Sequence, residues 1–296
     1  MDLETRLKQL IELWPDLTWS DARKLDHDHD VILLDDAYVF RFACEDAEHE
    51  PLEREVRFLE KLLETGISVP EYTHIDSNWA VAGYRPIPGA SLSYETFVDL
   101  TREQKRDIAH EVARVLNEVH EFPLDSTRSI GIPEDDPWYV EVQRFLFFYI
   151  RLVKQNSLSE PERAWADKVA LEIASTDLTT PIPRCVIHAD IEPPHILVDQ
   201  GRYTGVIDFG DVLIGDPACD FGWLWELGET FIDDVLEVYS HPSEDLKRRG
   251  FYYWFGRAAR HMQWGVHSRQ ITPWKRGYQI FPNDVRDSGR ENGVWD

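Results

Sequence analysis

The chain has 296 residues, 43% of them apolar, which is enough to bury a substantial core in one bilobal unit or two close-packed domains. Its 55 acidic residues against 31 Lys and Arg give a formal charge of −24, a field that on average repels nucleic acid and anionic membranes and draws in cationic ligands. With no 18-residue apolar run, no signal-peptide pattern at the start and three cysteines lacking C-x-x-C spacing, a membrane span, a disulfide framework and a cysteine zinc site are not expected, and a cytoplasmic protein is.

The opening MDLETRLKQLIELW reads as an amphipathic helix, with Leu3, Leu7, Leu10 and Ile11 at helical spacing. Residues 30–43, DVILLDDAYVFRFA, read as two strands joined by a turn at Asp35–Asp36. A helix over 47–65 carries Leu52, Val56, Leu59, Leu62 and Leu63 on one face, with Gly66 just past its end. The segment 78–88 reads as one or two further strands before Pro86, Pro88 and Gly89 interrupt the pattern. Helices then dominate, at 101–120 (Ile108, Val112, Val115, Leu116 and Val119 on one stripe), 137–155 and 159–175. Short strands return at 183–187, 195–199 and 203–208, and helices follow to about residue 270. The polar segment from Pro282 is expected to be loosely ordered. The order of elements predicts an α+β protein with a small β-rich lobe over 1–88 and a larger, mainly helical lobe over 89–296, hinged at about 85–90.

The chemistry concentrates in VIHADIEPPHILVD, residues 186–199, and in GVIDFGD shortly after. Asp190 precedes His195 by five residues, and His195 precedes Asp208 by thirteen. Two strands joined by a tight turn would set His195 and Asp208 side by side, because residues flanking a hairpin face each other. Asp190 would lie on the loop feeding the first strand, where Pro193 and Pro194 fix φ and remove two backbone donors. A carboxylate able to accept a hydroxyl proton, beside two groups able to hold a divalent metal, is what phosphoryl transfer from a nucleotide requires.

HADIEPPHILVD, GVIDFGD and GDPACDF together resemble the aminoglycoside phosphotransferases, antibiotic kinases on a protein-kinase-like fold whose pattern is H-x-D-x-x-x-x-N, I-D-[FW] and D-P-x-x-D. The resemblance runs from about residue 25 to 265. It implies a bilobal kinase-like fold with a nucleotide-covering antiparallel sheet and one helix in the N-lobe. The C-lobe would hold the catalytic loop at 186–199, a metal-binding strand at 203–211 and C-terminal helices for the substrate. By the same resemblance Asp190 is the catalytic base, His195 and Asp208 hold Mg²⁺, with Mn²⁺ as the alternative, and ATP or GTP is the co-substrate. His188, Asp216 and Asp220 would support the catalytic loop, the last two as braces or as a helix cap. Arg41, paired to Glu55 fourteen residues on, would reach the α- and β-phosphates. Arg85, Ile87 and Ile207 are assigned to the nucleotide, with the hinge at Arg85–Ile87 choosing between ATP and GTP.

Two departures stand out. His195 replaces the pattern's Asn, which is typical of the aminoglycoside 2″-phosphotransferase branch and of macrolide phosphotransferases; imidazole is a poorer ligand than oxygen for a hard ion, and its protonation in mild acid competes with metal. The phosphate-covering segment LDHDHDV, residues 25–31, has no glycine, and its HDHD run reads as a solvated turn.

Glu226 and Glu229 straddle Gly228 and resemble an acidic element that binds substrate amino groups beside Asp190 in the 2″ branch, with Asp233 and Asp234 adding attraction. The opposing interpretation is an acidic solvent face, and Tyr252, Tyr253, Trp254 and Trp264 either wall the cleft or belong to the core. The resemblance therefore implies transfer of the γ-phosphate to a hydroxyl, the 2″-OH favoured, of a cationic aminoglycoside, conferring resistance, by a monomer or, alternatively, a dimer. A macrolide or metabolite kinase of the same fold and a non-catalytic nucleotide-binding regulator are the alternatives.

Overall fold

The turn at Asp35–Asp36 sets the first hairpin. Both residues hold φ near +50° (50° and 52°), the type I′ combination whose twist matches paired strands and which Asp tolerates better than most residues. The Asp35 carboxylate secures it by accepting the main-chain N–H groups of Ser20 and Asp21 at 2.9 and 2.7 Å. The computed structural model describes residues 2–25, 30–43, 49–135, 138–177, 179, 181–287, 289, 290 and 293.

In chain order the helices and strands are α1 (Leu3–Leu13), β1 (Ala22–Lys24), β2 (Asp30–Leu34), β3 (Tyr38–Phe42), α2 (His49–Leu63), β4 (Tyr72–Ile75), β5 (Val81–Tyr84) and β6 (Ala90–Ser91). Then come α3 (Tyr94–Asp99), α4 (Arg102–His120), α5 (Leu124–Ile130), α6 (Trp138–Lys154), α7 (Glu160–Ala174), β7 (Cys185–Ile187), β8 (Ile196–Asp199) and β9 (Arg202–Val206). The chain ends with β10 (Leu213–Gly215), α8 (Ala218–Leu224), α9 (Glu229–Val238), α10 (Glu244–Ser268) and α11 (Ile271–Tyr278). They form two compact units, residues 1–133 with 194–212 and residues 134–193 with 213–296. The N-terminal region is built on an antiparallel sheet and the remainder is mainly helical, an α+β fold.

In the first unit a five-stranded antiparallel sheet runs in the order β1-β2-β3-β5-β4. Strand alternation sends Ile32, Leu34, Phe40, Phe42 and Val81 to one face, where Leu10 of α1 packs on them. On the other face Ala82 meets Leu52 and Val56 of α2. Burying each such aliphatic side chain contributes about 1.5–3 kcal/mol, so both helices are fixed by their apolar faces. A buried ion pair anchors α1: Arg6 Nη2 lies 2.6 Å from Asp30 Oδ2, and Lys24 takes the other oxygen. A smaller antiparallel sheet, β6-β8-β9, carries the hairpin that the motif spacing predicts. Gly205 on β9 permits a close approach, since a Cβ there would meet Ile87 Cδ1 and the Ser68 carbonyl at 2.9 Å. Capped by Thr101 and Gln104, α4 buries the apolar stripe Ile108, Val112, Val115, Leu116 and Val119.

In the second unit α10 (25 residues) is the central helix, packing on α6, α8 and α11. Arg249 on α10 holds the buried Asp216 by two hydrogen bonds, 2.9 Å from Nε and 3.0 Å from Nη2, and Asp216 Oδ1 also accepts the N–H of Ala218 at the start of α8. Strands β7 and β10 pair antiparallel with Ile187 opposite Leu213. The expectation of a loose tail is corrected for the described residues after Pro282. Trp274 Nε1 donates to the Arg290 carbonyl at 2.7 Å, the Asp287 N–H donates to the buried Glu162 at 3.1 Å, and Arg290 donates to the Ser157 carbonyl at 2.7 Å. Composition missed this because the tail is held by polar contacts instead of apolar burial. Among the described residues no helix is long and apolar enough to cross a membrane.

Candidate active site

The β8–β9 hairpin sets the first part of the site. Ile196 pairs with Val206, and the Ile207 N–H donates to the His195 carbonyl at 3.0 Å. His195 closes a 3₁₀ turn, Pro193–His195, just before β8, and Asp208 follows β9 by two residues. His195 Nε2 and Asp208 Oδ2 come within 3.4 Å. Asp208 holds φ +68°, a left-handed conformation available to Asp at a small steric cost. The next residue, Phe209, is fully buried against Phe58 of α2 at 6.1 Å between ring centroids, which pins the turn.

Arg41 connects this pair to α2. On β3 it sits between Val31 and Ala82, and its Nη1 lies 2.9 Å from Glu55 Oε1 and 3.1 Å from Asp208 Oδ1. The Tyr72 hydroxyl also donates to Glu55 Oε1 at 3.0 Å. Burial pushes the Glu55 carboxyl above its ordinary range, against the pull of Arg41. Burial acts to lower the Arg41 guanidinium, but Glu55, Tyr72 and Asp208 outweigh it, so the side chain stays charged. The remaining predicted nucleotide residues are spread around the same unit: Arg85 Nη2 donates to the Tyr38 hydroxyl at 3.1 Å, Ile87 is half-buried over Gly205, and Ile207 is held by the His195 carbonyl. Of the Gly-free segment, residues 26–29 lie outside the described residues, and Asp30 points to Arg6 and Lys24.

The part of the expected catalytic loop that precedes Pro194 lies in the second unit. The fully buried Asp220 accepts the N–H groups of His188 at 2.9 Å and Ala189 at 2.8 Å. The buried His188 ring in turn accepts the Asp190 N–H at Nδ1, 3.3 Å away. Ala189 holds φ +67°, and its carbonyl accepts Trp223 Nε1 at 3.2 Å. With the N–H and the carbonyl of Ala189 both hydrogen-bonded, the strained turn is over-determined. Asp190 therefore follows a rigid backbone, and its carbonyl accepts the Glu192 N–H at 2.8 Å.

Each of the predicted substrate carboxylates has a resident cation. Glu226 lies against Arg276, whose Nε and Nη2 donate to Oε2 at 2.9 and 2.8 Å and which also binds Glu192. Glu229, beyond Gly228 at φ +94°, is exposed and pairs with Lys247 at 2.9 Å. Lys247 also takes Asp233 at 2.6 Å, while Asp234 is buried. Tyr252, Tyr253 and Trp254 are core residues, and Trp264 is exposed.

Three residues in contact with the expected site residues or their neighbours carry no motif: Trp223, which ties α8 to the Ala189 carbonyl; Arg276, which holds Glu226; and Arg257, whose guanidinium stacks 4.0 Å from the Trp223 ring. Only the place of Trp223 three residues after Asp220 was a signal in the sequence.

As donors, Asp208 and His195 offer one carboxylate and one imidazole nitrogen to a cation. That set fits Mg²⁺ or Mn²⁺ completed by water and phosphate oxygens, the imidazole suiting Mn²⁺ better.

Residues 21–252 match the family model described as the phosphotransferase enzyme family, APH. The uncharacterized protein YcbJ of Bacillus subtilis (strain 168) is 32% identical over 162 residues, 52% of this chain and 50% of that protein, so the chain spans about half the length of the curated relative it matches. Among solved structures, the GDP and kanamycin complex of an APH(2″) enzyme superposes with a TM-score of 0.74 at 23% identity, over 93% of this chain and 96% of that one. The apoenzyme of macrolide 2′-phosphotransferase MphH from Brachybacterium faecium gives 0.65 at 17% identity, over 96% of this chain and 100% of that one. The likeness to both is one of fold.

Proposed function

The chain belongs to the phosphotransferase enzyme family, and from that premise we propose that it transfers the γ-phosphate of ATP or GTP to a hydroxyl of a small molecule. The observation that carries this is Arg41, charged and held between Glu55 and Asp208, with the second oxygen of Asp208 beside His195. A fixed cation beside two groups able to hold a metal supports a site for a triphosphate.

The acceptor oxygen forms a bond to the γ-phosphorus as the bond from that phosphorus to the β,γ-bridging oxygen breaks. The bridging oxygen leaves with the electron pair on the nucleoside diphosphate, and the hydroxyl proton passes to Asp190. Arg41 binds the α- and β-phosphates through its planar fork. Asp220, through the His188 and Ala189 amides, fixes the direction in which Asp190 is presented. The tether supports Asp190 as a partner of the donor pair: only four residues separate it from His195, a span of at most roughly 18 Å fully extended, and two of them are prolines. A divalent ion held by His195 and Asp208 would supply neutralisation of phosphate charge.

For the acceptor, the 2″-OH of an aminoglycoside is the reading that the sequence resemblance implies, and the kanamycin complex of a fold relative supports it. A specific observation favours the alternative of a less cationic small molecule. Glu226 is engaged by Arg276 and Glu229 by Lys247, so drug amines would have to compete with resident cations.

The test is nucleoside diphosphate release by the purified protein with Mg²⁺ or Mn²⁺, ATP or GTP, and a panel of aminoglycosides, macrolides and hydroxylated metabolites. Acceptor-dependent turnover that falls by orders of magnitude in Asp190→Asn is expected. Turnover unchanged in that variant would show that the base lies elsewhere, and no turnover with any acceptor despite nucleotide binding would favour a regulator.

A further inference from the structure

Within the second unit a cavity of about 730 Å³ opens between α6, α8 and α10. Its body is aromatic, walled by Phe145, Phe147, Phe148, Trp223 and Tyr253. Its charge is opposite to that of the protein: in a chain of formal charge −24, the charged lining among the described residues is Arg144, Arg257 and Arg260 against one carboxylate, Glu141. That carboxylate pairs with Arg144 and also feels Arg257, so one carboxylate faces three guanidinium groups. Arg257 spends its hydrogen bonds on the carbonyl and thiol of Cys219, at 3.0 and 3.3 Å, both neutral acceptors because burial pushes the thiol up to about 12. Arg260 contacts the Phe148 ring and has no carboxylate partner among the described residues. Arg257 and Arg260, three apart on one helix, are neighbours of like charge, an arrangement that is unfavourable unless an anion relieves it. The next residue senses the same field: burial, followed by Arg276, Arg260 and Arg257, pushes His261 down to about 3.

The cavity wall also touches the loop that carries Asp190. Trp223, in its wall, carries Arg257 on its face and donates its indole N–H to the carbonyl of Ala189, the residue before Asp190. Resting on the phosphotransferase reading above, we infer that this cavity is the acceptor subsite and that its ligand is an aromatic or otherwise apolar alcohol bearing an anionic group, held by Arg257 and Arg260 with its ring against Trp223 and the phenylalanines. Charge-assisted hydrogen bonds from guanidinium to carboxylate, sulfonate or phosphate share this chemistry, and an apolar cleft with a few convergent charges is the usual form of a small-molecule site. A polycation is disfavoured by the same groups. In the reaction the ligand's hydroxyl oxygen takes the γ-phosphoryl group, its proton goes to Asp190, and the anionic group is unchanged.

The experiment measures binding, so it does not depend on turnover. Calorimetric titrations compare 6-hydroxy-2-naphthoate, 2-naphthol and kanamycin on the wild-type protein and on Arg260→Gln and Arg260→Glu, whose folding is checked by thermal melting; Arg260 is exposed, so both variants are expected to fold. The carboxylate probe should bind one to one and at least tenfold more tightly than 2-naphthol. It should lose about tenfold in Arg260→Gln and more in Arg260→Glu, while 2-naphthol is unaffected. Equal affinity of the two naphthyl probes, a carboxylate affinity unchanged in both variants, or kanamycin displacing the carboxylate probe from this cavity overturns the inference. Separate titrations of Mg²⁺ with ATP or GTP into Asp208→Asn test the phosphotransferase reading alone: undiminished nucleotide binding there would sink that reading and leave the anion preference of the cavity standing.

Discussion

Arg41 and Asp208 are 167 residues apart in the chain, yet Arg41 Nη1 lies 3.1 Å from Asp208 Oδ1 while the same nitrogen holds Glu55 Oε1 at 2.9 Å. One guanidinium therefore serves two carboxylates of the proposed nucleotide site. Arg41→Met should raise the nucleotide KM about a hundredfold, equivalent to roughly 2.7 kcal/mol. Arg41→Lys should recover only part of the loss, because an ammonium cannot reproduce the planar fork. Steady-state kinetics with varied nucleotide checks both, and an unchanged KM in Arg41→Met would remove this residue from the site.

The imidazole at position 195 makes the metal preference testable. His195→Asn substitutes an oxygen donor, so the Mg²⁺ concentration for half-maximal turnover should fall several-fold and the advantage of Mn²⁺ over Mg²⁺ should shrink. His195→Ala should cost about ten- to a hundredfold in kcat/KM. Metal titrations of turnover read each effect, and identical Mg²⁺ dependence in all three proteins would place the cation away from His195.

Asp220 accepts two main-chain amides while fully buried. Asp220→Asn keeps one acceptor oxygen and leaves the other amide facing an NH₂ group. The expected cost is about 1–3 kcal/mol of stability, the penalty for an unsatisfied buried donor. Because the loop carries the proposed base, kcat should drop more than the nucleotide KM rises. Urea denaturation paired with kinetics distinguishes this from simple unfolding: a variant that loses stability but keeps kcat would show that the brace does not orient Asp190.

The buried Asp30 predicts how the first unit responds to acid. Burial alone would raise its carboxyl, but hydrogen bonds from Lys24 and Arg6 overcome that and hold it at about 2, below the ordinary 3.8. Since the folded value is the lower one, the ionised form stabilises the fold above pH 3.8, and that contribution disappears as pH falls from 3.8 towards 2. It amounts to about 2 kcal/mol. Asp30→Asn should be less stable at neutral pH and show a flatter acid limb in thermal melts, and an unchanged acid limb would contradict the assignment.

The parts that were legible in the sequence are those set by local rules. The hairpin at 30–43 follows from strand alternation and two aspartates able to adopt positive φ, and the meeting of His195 with Asp208 follows from a short turn between two strands. The partners of Glu226 and Glu229 were not legible, because a carboxylate's charge is visible in sequence while the cation that covers it is not: Arg276 lies 50 residues from Glu226. The cationic cavity was hidden for a related reason. A net charge of −24 is an average over the whole chain, and Arg144, Arg257 and Arg260 come together only when α6 packs on α10.

Ala189 also limits what the chain can become. Its N–H and its carbonyl are both hydrogen-bonded in a left-handed turn, a geometry that glycine accepts freely, asparagine tolerates, and valine or isoleucine resists. Saturation of this position would return a short alphabet of survivors chosen by backbone shape, so diversification of this protein should pass through its cavity walls and leave this bend almost fixed.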